Sequence, residues 1–182
     1  APDWGWRTPP RRWCDSARRA TPTSCERTCT TVSRRFPWPC CAALSFLYTI
    51  LLGECVTALR ATGLDPDMGV LRDDHDTRPS LALDLMEEFR PLVVDHVVVT
   101  AARRHVLTAS HGREVAGKGG IFLTAAGREL MLDAYERRML TCVAGALDDF
   151  RSTRRGHLYQ QAQRLRAAIM DPEQKWTGLA WR

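Results

Sequence analysis

The 182-residue chain is the size of one domain or of a small domain with a tail, and its apolar content of 45% is ordinary for a soluble globular protein. All of its net charge of +5 lies in the first 41 residues, which hold eight Arg against three acidic residues, whereas the remainder holds 18 basic and 18 acidic residues. This charged, proline-rich beginning has no recognisable secretory signal, and the apolar run 42–52 is too short to span a bilayer. We therefore expect a cytoplasmic protein without a membrane span.

Residues 1–41 differ in composition from the rest of the chain. They contain five of the seven Cys, four of the six Trp and six of the ten Pro, but no Leu, Ile or Met, so they offer few aliphatic side chains for a core. We interpret them as a basic disordered arm that touches nucleic acid, or as a stretch translated out of frame, and we favour the second. A zinc-binding adaptor is the least favoured interpretation, because no His lies nearby and paired spacing is missing among Cys14, Cys25, Cys29, Cys40 and Cys41.

Two helices are predicted at the start of the remaining chain. The first covers 42–62, where apolar residues recur at helical spacing, and Gly63 suits its C-terminal end. Residues 63–79 are rich in Asp, Gly and Pro and form a predicted loop. Ser80 is the predicted N-cap of a second helix that ends at Arg90.

The C-terminal half completes an all-α domain over residues 42–182. The run Leu92–Val99 is β-branched and by propensity alone predicts a strand, but we assign it to a helix on tertiary grounds. Further helices are predicted from Thr124, as the N-cap, to Leu140 and from His157 to Met170. A glycine-rich loop at 108–120 and a short extended piece at 119–123 lie between them.

Three carboxylates are the candidate catalytic and metal-ligating residues. Asp84 and Glu87 lie three residues apart on the second predicted helix and therefore project to the same side. Burying two neighbouring acids costs free energy unless a cation compensates them. Glu54 falls on the apolar stripe of the first helix, where its other interpretation is a boundary residue that pairs with an arginine. Together the three acids suit Mg2+ or Mn2+, which prefer oxygen ligands.

The motifs that contain these acids resemble the CRISPR-associated protein 1 family. The resemblance includes Ala-Leu-Ser-Phe-Leu-Tyr at 43–48, Gly-Leu-Asp-Pro at 63–66 and Arg-Pro-Ser-Leu-Ala-Leu-Asp-Leu-Met-Glu-Glu-Phe-Arg-Pro at 78–91. It continues through the segments 119–124, 133–138 and 159–165. The covered region, about residues 42–182, is similar to the family's C-terminal helical catalytic domain. The resemblance implies a metal-dependent DNA endonuclease and integrase of spacer acquisition.

The resemblance also implies a ligand set of a Glu, a His and a second acid. Glu54 matches the first ligand, and Glu87 matches the third with Asp84 beside it, but Arg72 occupies the position of the histidine. A guanidinium has no lone pair to donate and stays protonated, so we expect metal affinity and nuclease activity to be reduced. His75 is a possible substitute ligand, although a solvent-exposed loop histidine is the favoured interpretation. The alternative function is a non-catalytic helical DNA-binding or assembly remnant in which the acids pair with Arg72.

The partners that the resemblance implies are DNA, a second copy of the chain and CRISPR-associated protein 2. In the family an N-terminal β-rich domain supports the assembly, and 41 unrelated residues stand in its place here. The candidate contacts to DNA phosphate are basic side chains, for which a solvated protein face is the competing interpretation: Arg103, Arg104, Arg164 and Arg166.

Overall fold

The computed structural model describes residues 39–68, 79–114, 121–144 and 150–171, together with 173, 174, 176 and 178. The predictions about residues 1–38 and about Arg72 and His75 lie outside this part of the chain. The division into an arm and a helical domain therefore stays a prediction.

Five α-helices account for most of the described residues, so the predicted all-α fold class is confirmed. They are α1 (Cys40–Ala61), α2 (Ser80–Phe89), α3 (His96–Arg103), α4 (Ala125–Leu140) and α5 (Arg154–Met170). Two short antiparallel hairpins accompany them, and they pair β1 (Gly112–Glu114) with β2 (Ile121–Leu123) and β3 (Cys142–Ala144) with β4 (Arg151–Thr153). The strand β2 confirms the extended piece predicted around residue 121, whereas the second hairpin was not predicted.

Helix α1 is the central element of the core and packs against the other four helices. It begins at Cys40, two residues before the predicted start, and the buried side chains along it recur every three or four residues. Its end is a Schellman motif in which Gly63 N donates to Arg60 O at 3.0 Å and Leu64 N donates to Leu59 O at 3.0 Å. Gly63 has a φ of +79°, a conformation that glycine adopts without strain.

The length and composition of α1 would also allow it to cross a membrane. The core helix of a soluble protein passes the same test, and α1 buries one stripe against its neighbours as such a helix does. The predicted apolar run of 42–52 was shorter than the observed helix of 22 residues. The expectation of a protein without a membrane span therefore remains an expectation.

Helices α2 and α3 are joined without a break by a π-helical segment, Arg90–Asp95. Pro91 lies in its first turn, and because proline lacks an amide hydrogen the helix cannot keep its ordinary hydrogen-bond pattern there. The assignment of the β-branched run to a helix is confirmed. Four of its valines are buried in the core, so tertiary packing outweighs their strand propensity: Val93, Val94, Val97 and Val98.

The predicted helix starts are partly right. Thr124 caps α4 as predicted, and its Oγ1 accepts a hydrogen bond from Gly127 N at 3.1 Å. The predicted N-cap Ser80 is wrong, because Ser80 is the first helical residue of α2 and the preceding proline takes the cap position. The predicted start of the last helix at 157 is also wrong, because Thr153 Oγ1 caps α5 by accepting from Gly156 N at 3.0 Å.

Candidate functional site

Glu54 lies on α1 beside the buried stripe, and only 20% of its side chain is exposed. Arg155, from the first turn of α5, donates from Nη2 to Glu54 Oε1 at 2.8 Å and from Nε to Oε2 at 3.2 Å. Both carboxylate oxygens are therefore engaged by one planar guanidinium, the geometry of a strong bidentate ion pair. The pairing of Glu54 with an arginine agrees with one of the two interpretations of this residue, and the partner is Arg155.

The same arginine is shared with a second carboxylate from another helix. Arg155 Nη2 lies 3.0 Å from both Oε1 and Oε2 of Glu136, which comes from α4 and is 42% exposed. Both carboxylates raise the pKa of Arg155, and Glu54 has the larger effect. The guanidinium therefore stays charged. One cation thus links α1, α4 and α5 and leaves these three side chains with a formal charge of −1.

The buried side chains next to this triad remain neutral. Burial raises the pKa of Tyr135 and of Cys55, and the negative charge of Glu54 raises both further. Neither side chain therefore adds a second negative charge beside Glu54 in the ordinary pH range. Arg155 is the cation that compensates Glu54 among the residues that the structure describes.

The acids of α2 each have different surroundings. Asp84 is half-buried, whereas Glu87 is exposed and accepts a hydrogen bond from Arg90 Nη1 at 2.6 Å. Glu88 accepts from Nε2 of Gln161, on α5, at 2.9 Å. The prediction that the acids of this helix would be partly buried therefore holds for Asp84, while Glu87 is 55% exposed.

Arg90 belongs to a further cluster at the start of the π-helical segment. Its guanidinium carbon lies 4.3 Å from the centroid of the Tyr48 ring, a cation–π geometry. The hydroxyl of Tyr48 donates a hydrogen bond to Asp95. Burial and the neighbouring Asp95 raise the pKa of Tyr48 to about 12, so this hydroxyl keeps its proton. The arginine that holds Glu87 is thus itself fixed by α1.

The structure brings the helices of the three candidate acids together, because α2 packs against α1. It gives Glu54 and Glu87 separate arginine partners, and no group of three His, Cys, Asp or Glu side chains suited to a metal occurs within the described ranges. The predicted pairing with Arg72 and the substitute ligand His75 fall in the segment 69–78, which the structure does not describe.

The candidate acids are of the chemical kind that a hard cation binds, although the described residues do not gather them into one metal-binding group. Their side chains are carboxylates, the ligands that Mg2+ and Mn2+ prefer. Glu54 is a half-buried acid whose two oxygens are both bound by Arg155, so its charge is already compensated within the protein. The residues present are thus of the right chemical kind for a divalent ion.

The four arginines predicted to bind DNA differ in exposure. Arg103 and Arg104 are exposed at the end of α3, and Arg166 is exposed near the end of α5. Arg164 is half-buried, so its side chain is less available to an external phosphate. DNA binding by these residues stays a prediction.

Sequence reasoning missed the roles of Arg155 and Glu136. Of the neighbouring arginines at the start of α5, Arg154 is buried and donates from Nη1 to Arg138 O at 3.1 Å, while Arg155 binds the two carboxylates. Glu54 and Arg155 are separated by 101 positions. No periodicity reports a contact over that distance, and the family motif at 133–138 was the available pointer to Glu136.

The chain is similar to known proteins in both sequence and fold. Residues 33–137 match the family model described as CRISPR associated protein Cas1. The chain is 42% identical over 144 residues to "CRISPR-associated endonuclease Cas1 1" of Thermus thermophilus, which covers 79% of this chain and 45% of that protein. It is also 45% identical over 107 residues to "CRISPR-associated endonuclease Cas1 2" of Rhodospirillum rubrum, and this match covers 58% of this chain and 31% of that protein. The chain thus spans less than half the length of these two curated relatives.

Solved structures show the same helical fold. A casposase bound to integration product superposes with a TM-score of 0.66 at 22% identity, over 74% of this chain and 38% of that one. A CAS1 protein from Thermotoga maritima superposes with a TM-score of 0.63 at 23% identity, over 71% of this chain and 39% of that one. A chain of a partial Cas6-RT-Cas1–Cas2 complex superposes with a TM-score of 0.65 at 25% identity, over 82% of this chain and 49% of that one.

Proposed function

This chain belongs to the CRISPR-associated protein Cas1 family, and from that premise we propose that it is the helical catalytic part of a metal-dependent DNA endonuclease and integrase of spacer acquisition. The observation that carries the proposal is a half-buried, cation-compensated carboxylate, Glu54, on a core helix that packs against the helix of Asp84 and Glu87. The names of the two curated relatives support the endonuclease activity.

Glu54, Asp84 and Glu87 are the residues that would hold Mg2+ or Mn2+. When bound, such an ion polarises a scissile phosphate and makes a water or a 3′-hydroxyl a better nucleophile. The chain's own contribution is positional, because α1 and α2 fix the backbones of these acids through the core.

The remaining family properties belong to the same proposal. Arg103, Arg104, Arg164 and Arg166 bind DNA phosphate in a cytoplasmic protein, and the three exposed ones are the best placed. A Cas2 partner is supported by the solved Cas1–Cas2 complex, and an integration reaction by the casposase with its product. Self-association and Cas2 binding both depend on how much of the longer relatives' chain accompanies this one.

The proposal is tested by cleavage of a labelled DNA duplex over a titration of Mn2+. We expect cleavage that depends on the ion and that falls by at least about tenfold in Glu54→Gln, the lower bound found for residues that merely orient a ligand. Glu129→Gln is the matched control, because Glu129 is an exposed glutamate on α4, and it should cleave like the wild type. Equal ion-dependent cleavage in Glu54→Gln and the wild type would refute the proposed site.

A second candidate function is a non-catalytic DNA-binding or assembly remnant. It is favoured by the observation that Glu54 and Glu87 each have an arginine partner in the protein itself. The acids would then stabilise the fold through ion pairs, and Arg72 would be one of several arginines that pair with them. DNA binding that is independent of Mn2+, with no cleavage at any Mn2+ concentration, would support this candidate over the first.

A further inference from the structure

Two arginines lie side by side where the end of α4 meets the start of α5. Arg154 is only 7% exposed, and Arg138 is half-buried. Arg154 donates from Nη1 to the carbonyl oxygen of Arg138, and Arg138 donates to the carbonyl oxygen of Leu92. None of the ion pairs among the residues that the structure describes includes either arginine. A backbone carbonyl carries only a partial charge, so the two cations are incompletely compensated.

His96, the first residue of α3, extends this positive region. Burial lowers the pKa of His96, and the charges of Arg138, Arg154 and Arg104 lower it further. Arg138 likewise adds to the effect of burial in lowering the pKa of Arg154. Among the described residues, the charged groups that act on His96 are thus all cations. We call Arg138, Arg154, Arg104 and His96 the cationic cluster, and its charge favours the binding of an anion.

An open cleft of about 220 Å³ lies beside the cationic cluster, between α3 and α4. Its polar lining comes from Arg138, His96 and Thr100. The rest of the lining is apolar and includes the exposed Val106 and the half-buried Leu130. Nη1 of Arg138 makes no hydrogen bond to a described residue, because Nε and Nη2 make its two contacts, so Nη1 can donate to a ligand. The cleft therefore offers donors for an anion beside an apolar wall.

The chemistry of the cleft favours a nucleotide over an acidic peptide. A planar guanidinium suits phosphate, and apolar side chains can hold the face of a base that has left its stack. Arg103 and Arg104 are exposed at the end of α3, so the positive surface continues from the cleft to predicted DNA contacts. A cleft of about 220 Å³ has room for a single base but not for a stacked duplex. The ligand should therefore be a single strand.

We propose, on the basis of the proposed function, that the cleft between α3 and α4 binds one unstacked nucleotide of a DNA single strand. The phosphate lies against Arg138, His96 and Thr100, and the base lies against the apolar wall. Arg154 and Arg104 strengthen the positive potential from behind and beside the phosphate. The bound phosphate supplies the negative charge that the two arginines lack among the described residues.

The first test measures the binding of a fluorescein-labelled thymidine decanucleotide by fluorescence anisotropy, with the whole chain in EDTA so that no metal-dependent cleavage occurs. Thr100→Glu places a carboxylate at the phosphate position, whereas Thr100→Gln has nearly the same shape without the charge. We expect Thr100→Glu to bind at least about tenfold more weakly than Thr100→Gln, the loss that corresponds to one charge-assisted hydrogen bond. Equal Kd values for these two variants would overturn the proposal.

The second test measures how the same binding depends on salt. Arg138→Gln should reduce the slope of log K against log salt concentration by about 0.7, the share of one phosphate contact on a single strand. Arg137→Gln is the matched control and should keep the wild-type slope, because its side chain is 77% exposed and pairs with Asp133. An unchanged slope in folded Arg138→Gln would overturn the proposal. If circular dichroism shows that Arg138→Gln does not fold, the two Thr100 variants decide.

The third test concerns the base and the class of ligand. A strand of the same length without bases should bind the wild type at least about fivefold more weakly than the thymidine strand, the lower end of the effect of one stacked base. Equal binding of the two strands would overturn the placement of a base in the cleft. Competition by polyglutamate that is as strong as competition by the unlabelled strand would overturn the proposal in favour of an acidic peptide.

The outcome for the cleft is separate from the outcome for the proposed function. Strand binding that the Thr100 and Arg138 variants leave unchanged would overturn the cleft as a binding site and leave the proposed function standing. An absence of Mn2+-dependent cleavage would overturn the proposed function, whereas the binding measured in EDTA would still decide the role of the cleft.

Discussion

Arg138 of α4 clamps the π-helical segment by binding the backbone carbonyl of Leu92, and the strength of this contact can be predicted. Arg138 is half-buried, and its Nε and Nη2 both donate to the carbonyl oxygen of Leu92, at 3.1 and 3.0 Å. Leu92 follows the proline of the π-helical segment, so the clamp acts where the regular helical hydrogen bonds are interrupted. We predict that Arg138→Met destabilises the fold through the loss of this clamp.

The magnitude follows from the geometry. A hydrogen bond from a charged donor contributes about 1.5–3 kcal/mol to stability. Here two donors share one acceptor, and in the variant the half-buried carbonyl of Leu92 can instead accept a hydrogen bond from water. We therefore take the lower part of that range, about 1.5–2 kcal/mol. With a dependence on urea of about 2 kcal/mol/M, the midpoint of unfolding should fall by about 0.75–1 M.

The assay is equilibrium unfolding in urea, followed by far-ultraviolet circular dichroism. The matched control is Arg137→Met, one residue earlier on α4, where 77% of the side chain is exposed and the partner is the surface acid Asp133. The control should leave the midpoint unchanged, since exposed pairs of this kind contribute little. Equal midpoints for Arg138→Met and Arg137→Met would refute the account of how the π-helical segment is held.

Three further predictions concern the core, the pH dependence of stability and the site. Phe89→Ala should cost about 3–5 kcal/mol in thermal or urea unfolding, because Phe89 is fully buried at the end of α2; a loss below 1 kcal/mol would contradict the packing. The pKa of His96 is lowered by burial and then by nearby arginines, so the unfolded chain binds more protons and the wild type loses stability as pH falls through about 6.5. His96→Gln should lose less stability than the wild type between about pH 7 and pH 5, and parallel curves would show that His96 does not contribute. Arg72→His should raise Mn2+-dependent DNA cleavage by at least about tenfold if Arg72 replaces a ligand, whereas robust, equal cleavage in both would show that it does not disable the site.

Periodicity predicted the helices because burial along each one follows the helical repeat. The stripe of α1 and the caps of α4 are local features, so the sequence alone was enough to find them. The run Leu92–Val99 has the opposite local preference, and its helical state came from the packing of its valines in the core. Tertiary packing, not propensity, was therefore the better guide in that segment.

The wrong N-cap at Ser80 has a physical cause, which is the satisfaction of backbone groups by a distant residue. Ser80 does not cap α2, because the amides of Leu81 and Ala82 are met by the carbonyl of Pro66, at 3.1 and 3.4 Å. The position of Pro66 relative to the helix depends on the tertiary fold. A capping residue in the sequence thus indicates a possible helix start but does not decide it.

The site was predictable as a set of acids but not as a set of contacts. Glu54, Asp84 and Glu87 stood out because acids on apolar helix faces need compensation. Which cation compensates each one depends on long-range packing, and Arg155 reaches Glu54 from 101 positions away. Glu136 was hidden for the same reason, since a half-buried helical glutamate has no signature in the sequence until its neighbour is known.

The most direct test of the central claim is Mn2+-dependent nicking of supercoiled plasmid DNA by the purified chain, measured beside Glu54→Gln. The account predicts nicking that requires Mn2+, that a chelator abolishes, and that Glu54→Gln reduces by at least about tenfold. Wild-type protein that binds the plasmid yet never nicks it, or Glu54→Gln protein that nicks at the wild-type rate, would contradict the account.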